Sequence, residues 1–113
     1  MQILLVDDEP VIAGLLAQVL TMDGHSVNTA LDGETALKQM EGGSYDLVMT
    51  DLTMPGMDGL SLAKRIKAAH PSQKIILLTG AGSAGMNSPD VDYYLSKPIK
   101  PETLNGFIAQ LAG

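Results

Sequence analysis

The chain has 113 residues, 45% of them apolar and 18% charged, so it is long enough for one packed core and too short for two. It contains no cysteine, which excludes a disulfide framework, a thiolate metal site and a thiol nucleophile. Its net charge of -6 would repel a phosphate backbone, so the composition argues against direct nucleic-acid binding and favours a bound cation.

Short apolar runs alternate with helical spacing along the chain. Residues 3–6 form an apolar run typical of a buried parallel strand, and residues 11–20 then repeat apolar side chains at helical spacing. Pro10 suits the first turn of this helix and Gly24 suits its exit. The same alternation predicts strands at 25–30, 46–50, 74–79 and 91–95, and helices at 34–40, about 60–69 and 101–111. Five strands alternating with helices predict an α/β fold, a three-layer sandwich around a mostly parallel sheet.

The interval 80–89, between the fourth and fifth strands, breaks this alternation. Three glycines and a proline oppose a regular helix there, so we expect a loop or about one helical turn. Residues 80–85 also match the G-x-G-x-x-G dinucleotide fingerprint. A working fingerprint opens a long helix and is followed about 20 residues later by an acidic residue. Pro89 interrupts such a helix, and the later position falls near Lys100, so no nucleotide site is predicted.

Polar side chains that could bind a metal or take part in a reaction follow the predicted strands. Ligand sites in open α/β sheets form beyond the carboxyl ends of the strands, and the sequence places five such residues there: Asp7, Asp8, Asp51, Thr79 and Lys97. If the first and third strands are neighbours, three carboxylates converge. Two carboxylates about 4 Å apart repel by roughly 4 kcal/mol at an effective dielectric near 20, so the cluster needs a cation or a shared proton. Mg²⁺ fits best because it prefers hard oxygen ligands, and Mn²⁺ is the alternative ion.

These residue types also predict a reaction. A carboxylate can attack phosphorus to give an aspartyl-phosphate, and Asp51 is the candidate nucleophile. The metal would neutralise charge on the phosphoryl oxygens, while Lys97 and the hydroxyl of Thr79 would each contact another oxygen.

Four segments of the chain resemble the receiver domain of response regulators in bacterial two-component signalling. They are 3–8 (ILLVDD), 46–59 (DLVMTDLTMPGMDG), 75–80 (IILLTG) and 93–98 (YYLSKP). The resemblance covers nearly the whole chain and implies a flavodoxin-like fold, a five-stranded parallel sheet in the order 2-1-3-4-5. It also implies a phosphorelay in which a sensor histidine kinase or phosphotransfer protein is the phosphate donor and another protein is the target.

The resemblance assigns roles to individual residues. It implies that Asp51 is phosphorylated, and that Asp7, Asp8 and the backbone carbonyl of Thr53 help to hold Mg²⁺. Thr79 and Lys97 would contact the phosphoryl group. The ring of Tyr94 would move inward when the Thr79 hydroxyl turns toward the phosphate, and the Lys97–Pro98 peptide bond would be cis.

The sequence departs from the family between its fourth and fifth strands. Thr79 and Lys97 are 18 positions apart, shorter than the family norm by about one helical turn. The fourth helix of the family is therefore expected to be short or replaced by a loop, and a loop that orders on phosphorylation is a hypothesis for the switch. Thr53 and Ala81 match positions at which family members tune the access of hydrolytic water.

Other interpretations stand beside this one. Taken singly, these residues have ordinary structural roles: a capping pair at Asp7 and Asp8, a strand residue at Thr79, a surface lysine at Lys97 and a core ring at Tyr94. Three other functions for this fold are a flavin-binding protein, a phosphatase and a constitutive docking module. The acidic pair would repel a flavin phosphate. A phosphatase needs an acid where Thr53 stands, so no turnover of outside substrates is expected.

The context of the domain is also predicted. We expect residues 1–113 to be a single receiver domain, stand-alone or excised, because no linker or helix-turn-helix follows. The first residues lack a secretory signal, and no apolar run approaches the roughly 20 residues of a membrane span. A cytoplasmic location without membrane insertion is therefore expected.

Overall fold

The computed structural model describes residues 1–80 and 88–112. Strands and helices alternate in these residues. The elements in chain order are β1 (Gln2–Val6), α1 (Pro10–Met22), β2 (Ser26–Ala30), α2 (Gly33–Gly42), β3 (Leu47–Asp51), α3 (Gly59–Ala69), β4 (Lys74–Thr79), β5 (Tyr93–Ser96) and α4 (Pro101–Ala112).

The five strands form one parallel sheet in the order β2-β1-β3-β4-β5, as predicted. β1 and β3 are therefore neighbours, and their register pairs Val6 with Thr50. All residues of β3 are buried, because β1 and β4 cover both of its edges and helices cover both faces. This order places the ends of β1 and β3 side by side at the carboxyl edge of the sheet.

Two apolar clusters, one on each face of the sheet, form the core. Alternate residues of a strand point to opposite faces, so Leu4 and Val6 lie in one cluster whereas Ile3 and Leu5 lie in the other. Buried residues of α2 and α3 belong to the first cluster, and those of α4 and Leu20 of α1 belong to the second. The three-layer sandwich is confirmed.

The structure contains the five predicted strands and the helices predicted before β4 and after β5, but several begin or end at other residues than predicted. The strand predicted from residue 25 begins at Ser26 instead, because the His25 amide donates to Leu20 O and closes the preceding turn. The prediction that Asp51 follows the third strand is wrong by one residue, since Asp51 ends β3. The fifth strand was predicted at 91–95 and occupies Tyr93–Ser96. Gly24 follows α1 with φ +94°, which glycine adopts without strain.

The segment between β4 and β5 and the character of the helices were also predicted. The prediction that the family's fourth helix is short or replaced by a loop at 80–89, a segment that includes Ala81, falls mainly on residues 81–87 and so lies outside the described residues. Across the described ranges, no helix has both the length and the apolar character that a bilayer-spanning segment requires.

Candidate functional site

Three carboxylates meet at the carboxyl edge of the sheet. Asp7 and Asp8 follow β1, Asp51 ends β3, and one oxygen from each lies within 4.8 Å of the others. Asp7 is fully buried, Asp51 is nearly so and Asp8 is partly exposed. The sequence predicted this convergence because neighbouring parallel strands end at the same edge.

Asp7 is held in place by the backbone around it. Its amide donates to Ala30 O at 3.0 Å, and its Oδ1 accepts from the Glu9 amide at 2.9 Å. Its Oδ2 is buried and has no hydrogen-bond partner among the described residues. Burial raises the pKa of Asp7, and the nearby carboxylates of Asp51 and Asp8 raise it further; the Glu9 amide and the Lys97 ammonium oppose this.

Lys97 brings a positive charge to this cluster. Its Nζ lies 3.0 Å from Asp51 Oδ2, and its backbone amide donates to Thr79 O at 2.7 Å. The Lys97–Pro98 peptide bond that follows is cis, as the resemblance implied. The side chain thus reaches Asp51 across β4, from the segment that follows the edge strand.

The other predicted site residues are Thr79, Tyr94 and Thr53, which lie on or near β4, β5 and the end of β3. Thr79 ends β4, and its hydroxyl donates to Leu95 O of β5 at 3.4 Å. Tyr94 packs its ring against the cluster that contains Val6, and its hydroxyl accepts from the Ser88 amide at 2.7 Å. Thr53 is exposed, two residues beyond Asp51.

The loop from β3 to α3 approaches the strand end closely. The Gly59 amide donates to Leu52 O at 2.8 Å, and Asp58 caps α3 by accepting from the Ser61 amide at 2.7 Å. A Cβ on Gly59 would overlap the carbonyl oxygen of Asp51 and lie 2.7 Å from Leu77 Cδ1. Only glycine lets α3 begin this close to the end of β3.

The carboxylate cluster fits a hard divalent cation. It offers only oxygen donors, which Mg²⁺ and Mn²⁺ prefer, and it includes the buried Oδ2 of Asp7 that lacks a hydrogen-bond partner. A buried carboxylate oxygen without a partner is costly, and a bound cation would remove that cost. Among the described side chains, Lys97 places its ammonium group against the cluster, where it contacts Asp51.

One exposed surface, on α1, was not predicted from the sequence. Val11, Leu15 and Met22 have 74%, 56% and 80% of their area exposed, although the apolar spacing had suggested a helix that packs inward. Of the whole helix, only Ala13 and Leu20 are buried. A signal was present, because residues 10–22 contain no charged side chain and carry more apolar residues than one buried face needs.

A tether at the start of β5, formed by the side chain of Asp92, was not predicted from the sequence either. Asp92 Oδ2 accepts from Lys67 Nζ of α3 and from the Ile75 amide of β4, both at 2.9 Å. Burial raises the pKa of Asp92, but these two hydrogen bonds and the neighbouring lysine charges outweigh burial and leave the pKa below its usual value. No sequence pattern marks an aspartate whose partners are 17 and 25 residues away.

Known proteins match the chain over nearly all of its length. The family model described as the response regulator receiver domain matches residues 3–109. The chain is 37% identical over 108 residues to the transcriptional regulatory protein TcrA of Mycobacterium tuberculosis, which covers 91% of this chain and 42% of TcrA. It therefore spans less than half the length of that relative.

Solved structures match it equally well. The response regulator protein TrrA of Thermotoga maritima, in complex with Mg²⁺-BeF, aligns with a TM-score of 0.89 at 39% identity over 97% of each chain. A complex of the histidine kinase ThkA with TrrA matches with a TM-score of 0.87 at 39% identity, over 99% of this chain and 98% of that chain.

Proposed function

The chain belongs to the response regulator receiver domain family, and from this membership we propose that Asp51 accepts a phosphoryl group from a histidine kinase in a Mg²⁺-dependent reaction. The observation that carries the proposal is the meeting of three carboxylates with Lys97 at one strand edge. Residues 1–113 are proposed to act as one receiver domain, and the cytoplasmic location expected from the sequence stays a prediction.

Asp51 is the carboxylate best suited to attack. Asp7 is fully buried with one oxygen bound to the Glu9 amide, whereas Asp51 keeps some exposure and is the carboxylate that contacts Lys97. One oxygen of Asp51 forms a bond to phosphorus as the bond from phosphorus to the histidine nitrogen breaks, and the electron pair leaves with the imidazole. Lys97 then pairs with a phosphoryl oxygen instead of with the free carboxylate.

Three side chains and one backbone group are proposed to hold the cation. They are the carboxylates of Asp7, Asp8 and Asp51 and the carbonyl of Thr53. Mg²⁺, when bound there, neutralises charge on the phosphoryl oxygens. Mn²⁺ has the same preference for oxygen ligands and should substitute for it.

Thr79 and Tyr94 are proposed to read the phosphorylated state. The Thr79 hydroxyl donates to Leu95 O, so turning it toward a phosphoryl oxygen breaks a bond to β5. Tyr94 lies next to Leu95 on the same strand, and its hydroxyl holds the Ser88 amide. A change at Asp51 can therefore reach the edge of the sheet through one hydroxyl rotation.

The proposal limits the chemistry to the domain's own phosphorylation and dephosphorylation. A phosphatase acting on outside substrates would use a general acid two residues after the nucleophile, and Thr53 has no acidic group. The net charge of -6 also argues that the domain itself does not bind nucleic acid, so its downstream target is proposed to be a protein surface.

The uncharged face of α1 is proposed as the docking site for a kinase helix. Two of its exposed residues, Leu15 and Met22, line an apolar groove formed with the segment that follows β5, which includes Lys97 and Pro98. An apolar helix seated there would lie beside the lysine that contacts Asp51. The relative TrrA is known in complex with a histidine kinase, which supports this type of occupant.

Leu15→Asp tests the docking face. Phosphotransfer from a histidine kinase that phosphorylates the wild type should fall at least tenfold, while phosphorylation by acetyl phosphate should stay unchanged, because only the kinase needs the face. Leu31→Asp is the matched control, since Leu31 is also exposed but precedes α2. Equal loss of transfer in the two variants would contradict this docking site.

Intact mass after incubation with Mg²⁺ and acetyl phosphate tests the proposed function itself. We expect a gain of one phosphoryl group that is labile to base, absent with EDTA and absent in Asp51→Asn. Asp46→Asn is the matched control, because Asp46 is an exposed aspartate that binds the Gln2 amide away from the cluster. No gain in a folded wild type would instead favour a docking module that has lost the reaction.

A further inference from the structure

Thr50, the residue before the phosphoacceptor, carries a buried hydroxyl on an apolar strand face. Its exposed area is 0%, and its register partners are Val6 of β1 and Leu77 of β4. Both partners belong to the apolar cluster beneath α2 and α3. A valine would match such surroundings without a polar group to satisfy, so the hydroxyl is the unusual feature of this position.

The Thr50 hydroxyl donates to the backbone carbonyl oxygen of Asp51 at 3.0 Å. This oxygen also faces Gly59, where a Cβ would overlap it. The carbonyl of the phosphoacceptor is thus bound by a side chain on one side and enclosed by the start of α3 on another.

Two further hydrogen bonds continue from this point along the chain. The Leu52 amide donates to Leu78 O at 3.0 Å, and Leu52 O accepts from the Gly59 amide at 2.8 Å. Together with the Thr50 bond, they fix both peptide groups between Asp51 and Thr53. The chain therefore leaves β3 in one defined direction, with the Thr53 carbonyl as the next group.

We propose that Thr50 is a positioning residue for phosphorylation, which it controls by holding the carbonyl of Asp51. The proposal rests on the proposed function of Asp51. Rotation of the Asp51–Leu52 peptide would move two groups of the site together, the Asp51 carboxylate and the Thr53 carbonyl. Of these three hydrogen bonds, the one from Thr50 comes from a side chain, so a side-chain substitution removes it and leaves the two backbone bonds in place.

A small displacement of the acceptor matters because the attacking oxygen must lie in line with the bond that breaks. Misplacement by about 1 Å can reduce a reaction rate about a hundredfold, so a partial loosening should cost roughly threefold to tenfold. The same loosening should raise the Mg²⁺ concentration needed for half-maximal rate, because two of the proposed ligands, the Asp51 carboxylate and the Thr53 carbonyl, lie on either side of the loosened peptide.

Thr50→Val and Thr50→Ser separate positioning from packing. Valine keeps the shape and removes the hydroxyl, while serine keeps the hydroxyl and removes a buried methyl group. For each variant, the phosphorylation rate is measured against acetyl phosphate and against Mg²⁺, and thermal unfolding is followed in parallel. We expect valine to be about threefold to tenfold slower with a raised Mg²⁺ requirement, and serine to stay within about twofold of wild type although its Tm is the lower of the two.

If Thr50 had a role in packing alone, the phosphorylation rate would follow the Tm, and Thr50→Ser would be slower than Thr50→Val. Thr50→Ala beside Thr50→Ser repeats the comparison if valine does not fold, since serine differs from alanine only by the hydroxyl. Wild-type rate and Mg²⁺ dependence in the folded variants without the hydroxyl, or equal slowing of serine, would overturn the positioning role. Absence of phosphorylation in the wild type would overturn both this role and the proposed function, and is recognised before any variant is measured.

Discussion

The strands on either side of β4 are held very differently. β3 is buried at every residue, pairs on both edges and carries Asp51. β5 forms one edge of the sheet, is only partly buried and carries Tyr94. The proposed acceptor, which must be placed precisely, lies on the fully buried strand, and the residue proposed to change conformation lies on the partly exposed edge strand.

Gly59→Ala should have the largest effect, because it tests how fixed the β3 side is. The added Cβ meets the Asp51 carbonyl and lies 3.0 Å from Leu52 Cα, and this backbone cannot yield without disturbing β3. We expect a loss of about 3 kcal/mol in the free energy of unfolding, measured by urea denaturation.

Gly106→Ala in α4 supplies the control for this substitution. A Cβ at Gly106 would have no heavy atom within 4 Å among the described residues outside its own helical turns, and the residue is exposed in mid-helix. Alanine there should stabilise the protein by about 0.5–1 kcal/mol. A loss of similar size in both variants would show that the β3 turn is no tighter than an ordinary helix surface.

Asp92→Asn should have an intermediate effect, because it loosens one tether of β5. The folded-state pKa of Asp92 lies below the ordinary 3.8, so its contribution is present above that pH and is lost as the pH falls through the lowered value. We expect a loss of about 1–2 kcal/mol at pH 7, typical of a hydrogen bond to a charged group.

Denaturation of wild type and Asp92→Asn from pH 7 to pH 2.5 checks the sign. The difference between the two proteins should shrink once the pH is below 3.8. Lys64→Gln, an exposed lysine of α3, is the control and should change stability little at any pH. A difference that stays constant across this range would mean that the carboxylate charge plays no part in the tether.

Tyr94→Phe should have the smallest effect, since it removes one hydrogen bond and leaves the ring packed. The free energy of unfolding should fall by about 1 kcal/mol or less, and the Ser88 amide should exchange faster. Tyr45→Phe is the matched control, because its hydroxyl accepts from the exposed Asn28 side chain at 2.8 Å. Unchanged exchange at Ser88 would contradict a link between Tyr94 and this segment.

The sequence predicted the fixed parts of the fold better than the adjustable ones. Apolar runs at 3–6 and 74–79 are buried from both sides in a parallel sheet, so composition alone marks them as strands. β2 has little such signal, because Asn28 and Thr29 are exposed on an edge strand. The positions of the acidic residues at the ends of two strands predicted that Asp7, Asp8 and Asp51 lie close together.

The contacts that could not be predicted depend on packing between distant segments. Apolar spacing cannot distinguish the covered face of α1 from its exposed face, which no described element covers at Val11, Leu15 and Met22. The Thr50 hydroxyl binds a backbone oxygen, and Asp92 binds a lysine and an amide far along the chain. Contacts of this kind produce no regular spacing in the sequence, so they cannot be predicted from it.

Phosphorylation at Asp51 is proposed to change the conformation of β5 while β3 stays fixed. Amide hydrogen exchange with Mg²⁺, with and without beryllofluoride as a phosphoryl mimic, tests it most directly, with Asp51→Asn as the control. Exchange should change at Ser88 and in β5 and stay the same in β3, and the variant should show no change. Altered exchange in β3 with β5 unaffected, or the same response in Asp51→Asn, would contradict the claim.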